Sequence, residues 1–156
     1  MNDVDAIKAV IACLEGSTPF NSEHILYNSV TFVPDYPLRD LGLPRVGFAV
    51  SGGTNRIRGL GSYKRIGEPS YQVDVLASTQ IESRRIFQAV REALQADYEN
   101  ADSTAGDYGD PGNGYLKSRL IKSVIMGEPS SEQWDDAGRV GRVTATMTLQ
   151  YLEEEA

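Results

Sequence analysis

Apolar residues recur along this chain at two spacings, three to four apart in two stretches and every second position in several others. The first stretch, Val4, Ile7, Val10, Ile11 and Leu14, has the helical period. Asn2 or Asp3 can cap it, and Gly16 with Pro19 just beyond supplies the stop. The second stretch places Ile86, Phe87, Val90, Leu94 and Tyr98 on one stripe. Thr79 and Glu82 precede it with capping-box spacing, which predicts where that helix begins.

Period two marks the strands. In "RVGFAVS" Val46, Phe48 and Val50 alternate with Arg45, Gly47 and Ala49. In "YQVDVLAS" Tyr71, Val73, Val75 and Ala77 share a face, opposite Gln72, Asp74 and Leu76. Mid-strand Asp74 is expected to face water or an interstrand partner. The clearest alternation is "RVTATMTLQYL", with Val143, Ala145, Met147, Leu149 and Tyr151 against Thr144, Thr146, Thr148 and Gln150. "RLIKSVIM", Arg119 to Met126, predicts a fourth strand that pairs with it through a turn over Gly127 to Gly138. Trp134 near that turn either folds back or meets a partner. The span from Thr18 to Pro44 reads as an irregular excursion with a short strand at Ser29 to Val33.

The order helix, two strands, helix, two strands predicts one α+β domain over residues 1–156. Its mixed, mainly antiparallel sheet of about four strands would carry both helices on one face and project long loops. The Thr-rich face would be solvated or covered by a neighbour. No solenoid-type repeat is visible.

Composition narrows the function classes. The 40% apolar and 24% charged fractions are those of a soluble globular protein, and the net charge of −7 disfavours nonspecific attraction to nucleic acid or anionic membrane. The start is acidic, without the basic region of a secretory signal, and the apolar runs are too short to span a bilayer. Cys13 is alone and falls on the first helical pattern, so it reads as packing. These features point to a reducing, aqueous compartment.

Candidate chemistry is sparse. His24 is the sole histidine, and no nucleophile elbow accompanies it. The glycine-rich stretch Ser51 to Ser70 lacks P-loop spacing and leads into a strand, not a helix. It reads as a long mobile hairpin. "AGDYGDPGNGY", Ala105 to Tyr115, lacks the oxygen spacing of a calcium loop. No catalytic, cofactor-binding or metal-binding residue is assigned, and an enzyme is not expected.

Charge gives the two long loops another meaning. The first carries Arg56, Arg58, Lys64 and Arg65 against one acid, Glu68. The second carries Glu99, Asp102, Asp107 and Asp110 with no base. Opposite charge on two projections suits a head-to-tail contact between copies, although two simply solvated loops fit the same charges. Arg56, Arg58, Lys64, Arg65, Asp102, Asp107, Asp110 and Trp134 are therefore the candidate subunit-interface residues.

The succession of an N-terminal helix, "LPRVGFAV", a variable loop, "SYQVDVLASTQIESRRIFQAVREAL" and a closing strand pair ending in "TATMTLQYLEEE" resembles the tail terminator, or tail completion, proteins of tailed bacteriophages. Residues 43 to 98 carry most of the likeness, as patterns of order without invariant catalytic residues. The resemblance implies a structural virion protein, assembled in the host cytoplasm, that forms a homo-oligomeric ring, usually hexameric. Such a ring caps the tail tube protein, ends its polymerisation and docks to the head–tail connector. DNA would pass through the lumen without specific binding, which an acidic wall favours. No cofactor and no membrane are implied. Another ring-forming neck component, a head–tail adaptor or stopper, is the alternative. A small nucleic-acid-binding module has thinner support, since only Tyr63 interleaves the basic loop.

Overall fold

The structure is a computed structural model that describes residues 3–18, 20–21, 30–35, 42–57, 64–133 and 140–154. Its elements are α1 (Asp3–Gly16), β1 (Thr31–Val33), β2 (Arg45–Ile57), β3 (Lys64–Ala77), α2 (Gln80–Glu99), the single turn α3 (Tyr115–Ser118), β4 (Ile121–Met126), β5 (Ser130–Gln133) and β6 (Gly141–Glu154). The strands form one sheet in the order β1-β2-β3-β6-β4, with β5 also on β6. Among the described residues only β1 pairs in parallel, with β2. The architecture is the α+β fold expected from the alternating patterns.

The apolar stripes meet where the periods place them. Ile7, Val10 and Leu14 of α1 and Ile86, Val90 and Leu94 of α2 are buried with Phe48, Tyr71, Val73, Val75, Val143, Met147, Leu149 and Tyr151 of the sheet. Val4 and Val50 depart from the pattern, each about half exposed. α2 starts at Gln80, with Thr79 Oγ1 accepting the Glu82 N–H at 3.1 Å.

Two loops of the sequence reading are partly sheet. Gly52 to Ile57 pair with Ser70 to Arg65, so the Ser51 to Ser70 stretch is mostly two paired strands. Glycines and charged residues are poor strand formers, but β6 pairs along β3 as far as Lys64 and supplies the backbone partners. Likewise β5 lies inside the expected 127–138 turn and extends the pairing of β4 along the same edge of β6. The break between β4 and β5 is bridged by the Gly127 N–H, which donates to Thr146 O at 2.8 Å.

Gly141 fixes how closely β6 approaches α2. Ser83 Oγ donates to its carbonyl at 2.6 Å, and a Cβ on Gly141 would overlap the Thr79–Gln80 peptide. Backbone cannot swing aside as a side chain can. Gly141→Ala is expected to cost roughly 2–3 kcal/mol by urea denaturation, the scale of core overpacking. Wild-type stability in that variant would show that the α2 start yields.

Candidate assembly surfaces

The acidic loop is built around a residue outside it. Asp97, in the last turn of α2, is fully buried. Its Oδ1 accepts the Gly112 and Tyr115 N–H groups, each at 3.0 Å, and its Oδ2 accepts that of Leu116 at 3.1 Å. Its main-chain carbonyl also accepts the Gly114 N–H at 2.9 Å. One carboxylate thereby satisfies the start of α3 and closes the loop onto α2. Asn113 ties the loop internally, donating from Nδ2 to Asp107 Oδ1 and accepting the Asp102 N–H on Oδ1, both at 2.8 Å. Gly109, Gly112 and Gly114 take the left-handed backbone that these closures require.

The loop's acids therefore have unequal freedom to meet a neighbour. Asp102 accepts both the N–H and the hydroxyl of Thr104, which hold its carboxyl below the usual range. Asp107 accepts from Asn113. Both residues are nonetheless exposed, as is Asp110. Beneath the loop, burial first and the Asp97 charge second push the Cys13 thiol up to about 12. The same two causes raise the Tyr98 phenol. Neither group is an ionised nucleophile at neutral pH, and Cys13 sits in the core.

The basic arm is the paired end of β2 and β3. Arg56 stands opposite Ile66, Arg65 opposite both Ile57 and Glu153, and Lys64 opposite Glu154. Two of the four basic residues therefore have an acid of β6 directly across the ladder, where the sequence reading set them against Glu68 alone. Gln150 Nε2 donates to Glu68 at 3.2 Å. Arg58, Trp134 and His24 lie outside the described residues. Tyr98 Oη donates to Ile121 O at 2.8 Å, and Ile121 stands opposite Tyr151, so the acidic loop and the basic arm share the C-terminal end of β6.

The sheet face away from the helices is polar. Arg142 Nε and Nη2 both donate to Asp74 Oδ1, at 2.9 and 2.7 Å, and Gln72 Nε2 reaches both Asp74 oxygens. Asp74 thus has an interstrand partner and is buried. A polar cleft of about 390 Å³ opens beside this pair, lined by Ser51, Gln72, Glu128, Ser130, Arg142 and Thr144 among others.

A second cleft, about 370 Å³, lies between the C-terminal half of α2 and β4. Leu94, Tyr98, Val124 and Met126 line it, with Arg91 and Lys122 as its basic residues. The Arg91 guanidinium is 5.2 Å from the Phe87 ring centroid. Among the described residues, β4 has no strand on its outer edge.

Asp97, Arg142 and this cleft escaped the sequence reading, which weighed Asn113 only as an oxygen donor of a calcium loop. For Asp97 there was a signal. It stands three residues beyond Leu94, on the apolar stripe of α2, where an acid must find buried donors.

Among the described residues no group of His, Cys, Asp or Glu side chains could hold a metal ion, and no helix is long and apolar enough to cross a membrane. No protein-family model matches the chain, and comparison with curated proteins gives no significant match. Its fold is shared with a solved chain from the virion of a native gene transfer agent particle, at a TM-score of 0.60 and 10% sequence identity. That likeness covers 94% of this chain and 93% of the other.

Proposed function

We propose that the chain is a structural protein of a phage-like particle. More specifically, it acts as a tail terminator whose ring caps the tail tube and joins it to the head connector. The observation that carries this reading is the fold shared almost end to end with a virion chain. The succession of elements that resembles tail terminators supports the finer assignment.

In this reading the chain works by contact and not by catalysis. The arm of Arg56, Arg58, Lys64 and Arg65 and the loop of Asp102, Asp107 and Asp110 meet neighbouring subunits or the tube. Asp97 holds the loop's shape in advance, so little ordering entropy is lost when a neighbour docks. The acidic net charge suits a lumen through which DNA slides.

Negative-stain micrographs of the purified chain are expected to show rings. Added to the polymerising tube protein of the same particle, those rings should stop growth and sit on tube ends. Rings that bind the connector but leave tube growth unchanged would replace the terminator reading with that of an adaptor or stopper. A chain that stays monomeric and joins neither partner would remove both.

A further inference from the structure

We propose that Asn113–Gly114 is a modification site guarded by the fold. Opening of the acidic loop converts Asn113 to aspartate or isoaspartate, and the product keeps the loop from closing again. The chain has a single Asn-Gly pair, and it lies in this loop. Glycine is the successor that obstructs the chemistry least, because no Cβ shields its main-chain nitrogen. Gly114 N attacks Asn113 Cγ, an N–Cγ bond forms, and the Cγ–Nδ2 bond breaks. The N–H proton leaves with the amide nitrogen as ammonia, and a cyclic succinimide remains. Water then opens the ring. Addition at Cγ yields aspartate, and addition at the main-chain carbonyl carbon yields isoaspartate, whose backbone runs through the former side chain.

In the closed loop both reacting groups are engaged elsewhere. The Gly114 N–H donates to Asp97 O at 2.9 Å, so the nucleophile keeps its proton and is turned toward α2. The Asn113 amide is held at both ends, since Oδ1 accepts the Asp102 N–H and Nδ2 donates to Asp107 Oδ1, each at 2.8 Å. Its main chain is held as well, donating to Asp110 O at 2.9 Å and accepting the Gly109 N–H at 2.8 Å. Neither residue of the pair has an equivalent substitute. Gly114 has a left-handed φ of 72°, and a Cβ there would overlap the Tyr108 ring. An acid at 113 would set a second carboxylate against Asp107 where the amide now donates. The loop therefore needs the labile pair, and its closure is what preserves it. For the same reason the product does not fit the closed loop. Aspartate lacks the N–H that Asp107 accepts, and isoaspartate adds a backbone carbon just before the Gly114 N–H that Asp97 receives.

The site rests on the geometry of the loop and stands apart from the proposed ring. Modification through an open state follows the population of that state. In mildly alkaline buffer, peptide mass spectrometry of the full chain should show native Asn113 converting roughly tenfold or more slowly than in the same chain unfolded by urea. Asp97→Ala, which releases Gly112, Tyr115 and Leu116, should raise the native rate toward the unfolded one, with isoaspartate detected at 113. If that variant proves unfolded by circular dichroism, the wild-type chain in sub-denaturing urea decides. Hydrogen exchange at Gly114 and loss of the Asn113 amide should then rise together. Asn113→Asp, which installs the product directly, should lose roughly tenfold or more of the exchange protection at Gly112, Tyr115 and Leu116. Conversion as fast in the native chain as in the unfolded one, or a rate indifferent to loop opening, overturns the guard. Full exchange protection in Asn113→Asp overturns the claim that the product holds the loop open.

Discussion

Asp97→Ala is expected to lower stability by roughly 3–5 kcal/mol and to free residues 101–116 from the body of the domain. Three N–H groups, those of Gly112, Tyr115 and Leu116, converge on this one buried carboxylate. Hydrogen bonds to an ionised acceptor contribute about 1.5–3 kcal/mol each, and the truncated site is too enclosed for water to replace all three. The loss should therefore exceed that of an exposed helix cap, about 1 kcal/mol. Asp97→Asn should fall between, because its carbonyl can still serve two N–H groups while its amide opposes the third. Urea denaturation gives the energies. Hydrogen exchange at 112, 115 and 116 gives the location, and protection kept there in Asp97→Ala would refute the anchoring role.

The same residue shows why the loop was only half legible. Glycines and aspartates between Glu99 and Tyr115 correctly marked an irregular stretch. They did not reveal what closes it, because the group that holds it belongs to a helix, up to 19 residues earlier in sequence. Tertiary closure of this kind leaves no local period. The strand faces were legible for the opposite reason. Val143, Met147, Leu149 and Tyr151 are buried because alternation alone fixes which side of a pleated strand they occupy. Strand ends were not, since Lys64 to Gly67 are held in the sheet by β6, residues 151 to 154, far along the chain. Register was hidden for the same reason: the sequence set Lys64 and Arg65 against Glu68 alone, whereas Glu154 and Glu153 stand across from them in the ladder.

On the other face of the sheet, Asp74→Ala should be nearly as damaging, again about 3–5 kcal/mol. On β6, Arg142 stands opposite Leu76, one diagonal from Asp74, and reaches its carboxylate from there. Asp74 is buried and the Arg142 side chain only 21% exposed. Removing the carboxylate takes away the acceptor of two Arg142 hydrogen bonds, whereas removing Arg142 leaves Asp74 still bonded to Gln72. Arg142→Ala should therefore lose less than Asp74→Ala. Asp74→Leu combined with Arg142→Met should recover much of the loss, because a buried pair seldom outperforms packed apolar side chains of similar size. A double-mutant cycle in urea measures the coupling, and additive losses would show that the two side chains act independently. The informative result is the recovered double variant in the assembly assay. If it is stable yet forms no rings, the ion pair is kept for recognition across the polar face. If it is stable and assembles normally, the pair serves only the strand register, and that face meets solvent.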